Sequence, residues 1–382
     1  MDSSLPKSSL FFADQRLCSA DILPPSQVRA RLEVAVLNFL KSLASPTPAI
    51  SDLPLISRTS GNSGPRQGLL SDVSSVFLSK SFSIRSLMRS NDAKPFIRVW
   101  KVMELCFKIL AQEKLVTQRE LFYKLLCDSP DCFNSQDQVN RTVQDVIALI
   151  HCSRQSLGIM ASGRGAITGR LLLQESGQET IDCAVLGPAG HAITGDLSLL
   201  SKLDFVSDAR YIIVVEKDAI FQRLAEDRLY NQVPSILITA KGYPDIATRF
   251  LLHRLSQSFP HMPILALVDW NPAGLAILCT YKFGSITMGL EAYRYACNVK
   301  WLGLRGDDLQ LIPEESLVHL KPRDLQIAKS LLSSELLQES YRTELASMVE
   351  KGHRVEIEAL YYHGYDFLGK YAATKIVQSD YI

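Results

Sequence analysis

Residues 211–216 read Tyr-Ile-Ile-Val-Val-Glu, and residues 264–269 read Ile-Leu-Ala-Leu-Val-Asp. Each is a short apolar run closed by a single carboxylate, the pattern of a strand buried on both faces. Ser235–Thr239 and Val299–Leu302 have the same character, and helical patterns over about 219–229, 245–258 and 273–283 separate the four. A β-α-β-α-β-α-β succession with short connections predicts a parallel sheet with right-handed crossovers. Ligands of such sheets gather beyond the carboxyl ends of the strands, where Glu216 and Asp269 stand. If the first and third strands are neighbours, the two carboxylates share one edge. Hard oxygen ligands so placed suit Mg²⁺, which keeps its waters for a phosphate substrate.

Upstream, the order is helical. Residues 1–25 carry little periodicity, but Val28, Leu32, Ala35, Val36, Phe39, Leu40 and Leu43 recur at helical spacing and predict an amphipathic helix over about 26–43. From Lys41 to Ser75, nine Ser, four Pro and three Gly predict a flexible linker, which leaves that helix to find its partner elsewhere. Pro95 opens the next helix, with Phe96, Val99, Met103, Cys106 and Leu110 as its stripe. Thr117-Gln-Arg-Glu120 is a capping box that starts a helix at about Gln118. Ser135-x-x-Gln138 starts a third, which exposes Asn140, Arg141 and Gln144. Gly163-Arg-Gly165-Ala-Ile-Thr-Gly169 lies between the apolar runs 157–161 and 171–173 as a hairpin-like loop carrying Arg164. Three helices followed by a ribbon predict a winged-helix (CAP-like) DNA-binding domain. The expected organisation is α/β multidomain: an N-terminal helix and linker at 1–79, a winged helix at 80–180, and a Rossmann-like parallel-sheet domain with C-terminal helices at 181–382.

Of 382 residues, 41 are basic and 40 acidic, so the net charge of +1 implies no polyanion. The distribution says more: Lys80 to Lys124 holds ten Lys/Arg against four acids. A basic segment on a neutral chain suits a phosphate backbone, although a solvated helix face has the same composition. Met262–Val268, the longest apolar run, is interrupted by Pro263 and falls far short of the ~20 residues of a membrane span. No basic n-region precedes an apolar core between Met1 and Asp14, so no secretory signal is expected. Eight cysteines show no C-x-x-C pair and read as reduced intracellular thiols. Gly364-Tyr-Asp-Phe-Leu-Gly369-Lys370 mimics a P-loop, but Tyr371 replaces the Ser or Thr that must meet Mg²⁺.

Tyr123 is the candidate nucleophile. At 100° per residue, Leu121, Phe122, Leu125 and Leu126 form the apolar arc, Tyr123 falls just past it, and Arg119 lies one turn back. A free phenol has a pKa near ~10, so a nucleophilic tyrosine needs a cation or base beside it. Arg119 would supply that charge and could also bind the phosphate under attack. On these residues alone, an ordinary boundary tyrosine remains the alternative.

Thr-Gln-Arg119-Glu-Leu-Phe-Tyr123 resembles the tyrosine motif of the topoisomerase VI A-subunit family. Val-Val-Glu216-Lys-Asp-Ala, Lys241-Gly-Tyr-Pro-Asp245 and Asp269-Trp-Asn271-Pro-Ala-Gly274 are similar to its Toprim motifs, in the same order. The resemblance runs from about residue 80 to the end. It points to the meiotic recombination (sporulation-eleven) branch, and within it to the second plant paralogue. It implies that Tyr123 attacks a DNA phosphodiester to form a 5′-phosphotyrosyl link, that Arg119 stabilises the phosphorane charge, and that Glu216 and Asp269 hold Mg²⁺. The family's signature often reads Asp-x-Asp where this chain has Asn271, whose amide oxygen can coordinate but lacks the charge. Arg141, Arg164 and Lys241 are the basic residues expected to contact DNA. The implied partners are double-stranded DNA, a second protomer (identical or a paralogue) and a topoisomerase VI B-like ATPase that docks on the 26–43 helix. The implied site of action is the nucleus, where the protein would initiate recombination through meiotic double-strand breaks. Two other kinds of protein carry the same motifs: a type II topoisomerase component that reseals its cuts, and a non-catalytic DNA-binding scaffold for an active paralogue.

Overall fold

The computed structural model describes residues 19–44, 46, 52–67, 74–78, 81–175 and 177–382. Most of the expected leader lies outside the described residues. By contacts the chain divides into two units: one takes the described residues up to 64 together with 77–161 and 285–292, and the other takes the rest.

The first unit is mainly helical. Its helices are α1 (Pro25–Leu43), α2 (Ser90–Ala111), α3 (Gln118–Asp128) and α4 (Gln136–Ile150). Strand β1 (Leu53–Ile56) pairs antiparallel with β2 (Phe82–Arg85), and β3 (Val116–Thr117) pairs parallel with β4 (Ile159–Met160). Val28, Leu32 and Ala35 of α1 are buried in the same core as Phe96, Val99, Met103, Val143 and Ile147. Burying each such Leu or Phe stabilises by about 1.5–3 kcal/mol, so half of the α1 stripe is satisfied within its own unit. Phe39 adds to it, with its ring 4.9 Å from Trp100 and 6.0 Å from Phe96. The other half stays in solvent, with Val36, Leu37, Leu40 and Leu43 all exposed.

Two expectations are corrected here. Within 41–75, the Ser/Pro/Gly composition conceals β1, whose Leu53, Leu55 and Ile56 are buried. Arg58, just after it, pairs with the buried Asp145 of α4, which Arg85 of β2 also reaches at 3.4 Å. The segment is therefore anchored at its middle. Gln144, expected on an exposed face, is buried, because every residue of α4 from Thr142 to Ile150 is covered. Only the first turns of that helix face water, and there Arg141 pairs with Asp137 at 2.7 Å.

The second unit holds a six-stranded sheet. Its strands are β5 (Ala166–Gly169), β6 (His191–Ala192), β7 (Tyr211–Val215), β8 (Ser235–Thr239), β9 (Ile264–Leu267) and β10 (Val299–Gly303), in the order β6-β5-β8-β7-β9-β10. The four strands expected from the sequence are parallel to one another, and β7 lies beside β9. Helices α5 (Asp218–Glu226), α6 (Ile246–Ser258) and α7 (Pro272–Phe283) connect them. Helices α8 (Pro322–Leu332), α9 (Glu339–Lys351) and α10 (Phe367–Val377) follow.

The expected wing is not a free ribbon. β5, expected inside the hairpin-like loop, pairs antiparallel with β8 and extends the sheet of the second unit. The glycines before it answer a packing need rather than a turn: a Cβ on Gly165 would overlap Thr248 Oγ1 and the carbonyl of Thr239. The second expected arm, the run at 171–173, falls in the strand Leu172–Gln174, which joins a separate three-stranded sheet with Ile181–Asp182 and Asp204–Val206.

Candidate active site

On the first unit the site is one helix face. Thr117 Oγ1 accepts the amide of Glu120 at 3.2 Å, and Glu120 Oε2 accepts the amide of Thr117 at 2.6 Å, so the capping box closes as expected. The helix that it starts buries Leu121 and Leu125 and leaves Tyr123 52% exposed. Arg119, one turn earlier, is exposed as well. Among the described residues neither side chain has a hydrogen-bond or ion-pair partner; the phenol ring has an aromatic neighbour in Phe122, at 5.3 Å between centroids. The basic neighbours are less free, since Lys101 and Lys108 both reach Glu104, and Lys124 reaches Asp128 at 2.8 Å.

On the second unit the site is the carboxyl edge of β7 and β9. The two strands are hydrogen-bonded in register up to Val215 and Leu267, so the chain delivers Glu216 and Asp269 side by side just beyond. The Asp269 amide donates to Glu216 Oε2 at 2.9 Å. Asp269 is 4% exposed, whereas Glu216 is partly open. The Ile357 amide donates to Asp269 Oδ1 at 2.9 Å, and Lys217 Nζ stands 3.1 Å from Oδ2. Burial pushes the Glu216 carboxyl up to about 7, helped by the Asp269 charge. Burial also raises Asp269, against the pull of Lys217. For Lys217 itself burial opposes the charge, but Asp269 and Glu358 outweigh it and the ammonium is held above its ordinary range.

Asn271 has a structural occupation. Its Oδ1 caps α7 by accepting the Gly274 amide at 2.7 Å, and its Nδ2 lies 3.4 Å from Asp269 Oδ2. Gly274 is required there, because a Cβ would collide with the Asp269 carbonyl. Lys241 adopts φ 58° and pairs with Asp218 at 3.3 Å, while the next residue, Gly242, donates its amide to the Glu216 carbonyl. Exposed Arg164 donates to the Tyr243 carbonyl at 3.0 Å. Thus Arg164 and Lys241 belong to the second unit with the acids, whereas Arg141 lies on α4 of the first.

Two adjacent, poorly neutralised carboxylates fit a hard divalent cation. Among the described residues no group of three or more His, Cys, Asp or Glu side chains is poised to hold a metal by itself. The pair therefore suits an ion that keeps water and completes its shell with phosphate. Sequence reading missed Lys217, Glu356 and Glu358. Lys217 is adjacent to Glu216, but its partners lie about 140 positions on, at separations of 139 and 141, and no local pattern announces them.

The parallel sheet with these two acids at its edge lies in the stretch that matches a Toprim domain. Residues 211–376 match the family described as the Toprim domain of Spo11 and of the A subunit of topoisomerase 6, and residues 94–159 match "Type IIB DNA topoisomerase". The chain belongs to the Spo11 and topoisomerase VI A-subunit family. It is 70% identical to the meiotic recombination protein SPO11-2 of Oryza sativa subsp. indica and 68% identical to that of Arabidopsis thaliana, in each case across the whole of both chains. It is 33% identical to the human meiotic recombination protein SPO11 across 73% of this chain and 70% of the relative. It is also 31% identical to the A subunit of DNA topoisomerase 6 from Arabidopsis thaliana, across 93% and 81% respectively.

Proposed function

We propose that this chain is the DNA-cleaving component of a topoisomerase VI-type assembly that makes meiotic double-strand breaks. The Tyr123 oxygen attacks phosphorus, the P–O3′ bond breaks as the P–O(tyrosyl) bond forms, the phenolic proton departs, and the leaving 3′ oxygen is protonated to a hydroxyl. The arginine at position 119 neutralises charge on the equatorial oxygens, a task suited to a guanidinium with no other partner among the described residues. Glu216 and Asp269 would hold Mg²⁺, which supplies positive charge to the DNA phosphate. Arg141, Arg164 and Lys241 contact the backbone. In this reading the tyrosine and the acids of one active centre come from different protomers, so a dimer, homomeric or with a paralogue, cuts both strands in the nucleus. The observation that carries the proposal is the half-exposed tyrosine on a capped helix, with an arginine one turn before it that no described residue pairs. Immunoprecipitation from meiotic cells should recover short oligonucleotides covalently attached to this chain; protein free of DNA in every meiotic stage would refute the reading.

A B-type ATPase is the partner for the outer face of α1. The residues available to it are Val36, Leu37, Leu40 and Leu43, since Val28 and Leu32 are already in the core. Beside them a groove of about 600 Å³ is lined by Leu32, Val36, Leu37, Trp100, Met103 and Phe107. Leu37→Asp with Leu40→Asp should release the ATPase in co-precipitation while the melting temperature stays unchanged. Retention of the partner would move the contact elsewhere.

A further inference from the structure

Lys217 is the only cation within ion-pair reach of Asp269 among the described residues. It does not belong to Asp269 alone. Its Nζ lies 3.1 Å from Glu356 Oε2 and pairs with Glu358 Oε2 as well, so one ammonium serves three carboxylates. The lysine side chain is 22% exposed, Asp269 only 5%, while Glu356 and Glu358 are open to solvent at 52% and 36%. The loop that provides those two acids also provides the Ile357 amide that fixes Asp269 Oδ1. The same three residues thus hold the aspartate and offer the lysine two other seats.

Desolvating an ammonium is costly unless a counter-ion goes with it, and the same holds for the buried aspartate. A divalent cation arriving at Asp269 Oδ2 meets that oxygen already engaged with Lys217. The lysine stem can turn away without leaving its charge unpaired, because Glu356 and Glu358 lie within the same reach. We propose that Lys217 is a positioning residue that stands in for the metal at Asp269, and that Glu356 and Glu358 receive it when a divalent cation displaces it. The inference rests on the assignment of Glu216 and Asp269 as the Mg²⁺-binding pair. It makes the metal affinity of the site the outcome of a competition inside the protein.

The test is calorimetric titration of the purified full chain with MgCl₂ in the absence of DNA. Lys217→Met removes the competitor and should bind Mg²⁺ about fivefold or more tighter than wild type, the range expected for one partly buried charge pair. Glu356→Gln with Glu358→Gln removes the receiving seats and should bind about threefold or more weaker. In the Lys217→Met background that double change should shift affinity by less than about twofold, because its effect acts through the lysine. Equal affinity of wild type and Lys217→Met overturns the proposal. So does additive weakening by the glutamines, which would reveal only a general field of charge. Should Lys217→Met fail to fold, the glutamine variant alone decides, since its carboxylates are exposed; affinity unchanged from wild type then overturns the idea. Absence of any Mg²⁺ binding by wild type removes the metal assignment itself, and this inference with it.

Discussion

Tyr123 stands half-exposed on an 11-residue helix whose start is set by its own capping box, whereas Asp269 is 4% exposed and takes its partners from 53 and 88 positions away. The two regions meet opposite demands. A nucleophile must reach a polymer that arrives from solvent, so its helix keeps the ring outside and packs only Leu121 and Leu125. Charged oxygens that must attract an ion gain by being taken out of water, because a lower local dielectric strengthens every charge near them. Accessibility is a local property of one helix, but burial is a collective property of a sheet and the loops laid over its edge.

That contrast yields measurements. Tyr123→Phe should abolish covalent attachment to DNA while unfolding free energy stays within about 0.5 kcal/mol of wild type, since an exposed hydroxyl without partners contributes little to stability. A large loss of stability would show that the phenol is part of the fold. Asp269→Ala should in addition cost stability, about 2–3 kcal/mol in chemical denaturation, because it strands the Ile357 amide and one seat of Lys217. An unchanged denaturation midpoint would mean that the edge is held by the backbone alone.

A pH series sharpens the same point. The Glu216 carboxyl is raised from 4.5 to about 7 in the folded chain, so the folded state binds the proton more tightly than the unfolded one. Its contribution is therefore fully favourable below the unfolded value and is lost as pH rises through that window. Metal-free protein should lose stability between pH 4.5 and 7, with a smaller slope in Glu216→Gln. Added MgCl₂ should flatten the slope. The smallest effect belongs to the local region: Thr117→Ala removes one cap and should cost about 1 kcal/mol. A cost near zero would show that packing of Leu121 and Leu125 fixes the helix start.

The same distinction explains what the sequence disclosed. The four parallel strands were legible to within a residue at their ends because each is a closed apolar run, and α3 because its cap lies in four consecutive residues. Glu216 and Asp269 were legible as strand-terminal acids. The failures all required knowledge of distant neighbours. Gly163 and Gly165 look like a turn until the backbone at Ile193 and Thr239 is brought against them. Gln144 looks solvated on a wheel that does not include a covering layer. Lys217 looks like one surface lysine among many until residues 356–358 fold over it.

Strand β5 has a consequence for how this protein can be divided. Its four residues lie far before the 211–376 stretch that matches the Toprim family, yet they pair along β8, whose five residues are buried. A fragment that begins at residue 181 or 211 would present β8 as a raw, flat, apolar border, the kind of surface that recruits other chains. The stretch that matches the Toprim family is thus shorter than the sheet to which it belongs. A gene fusion or a recombination event at the edge of the shared domain would inherit Glu216 and Asp269 without the hem that covers β8.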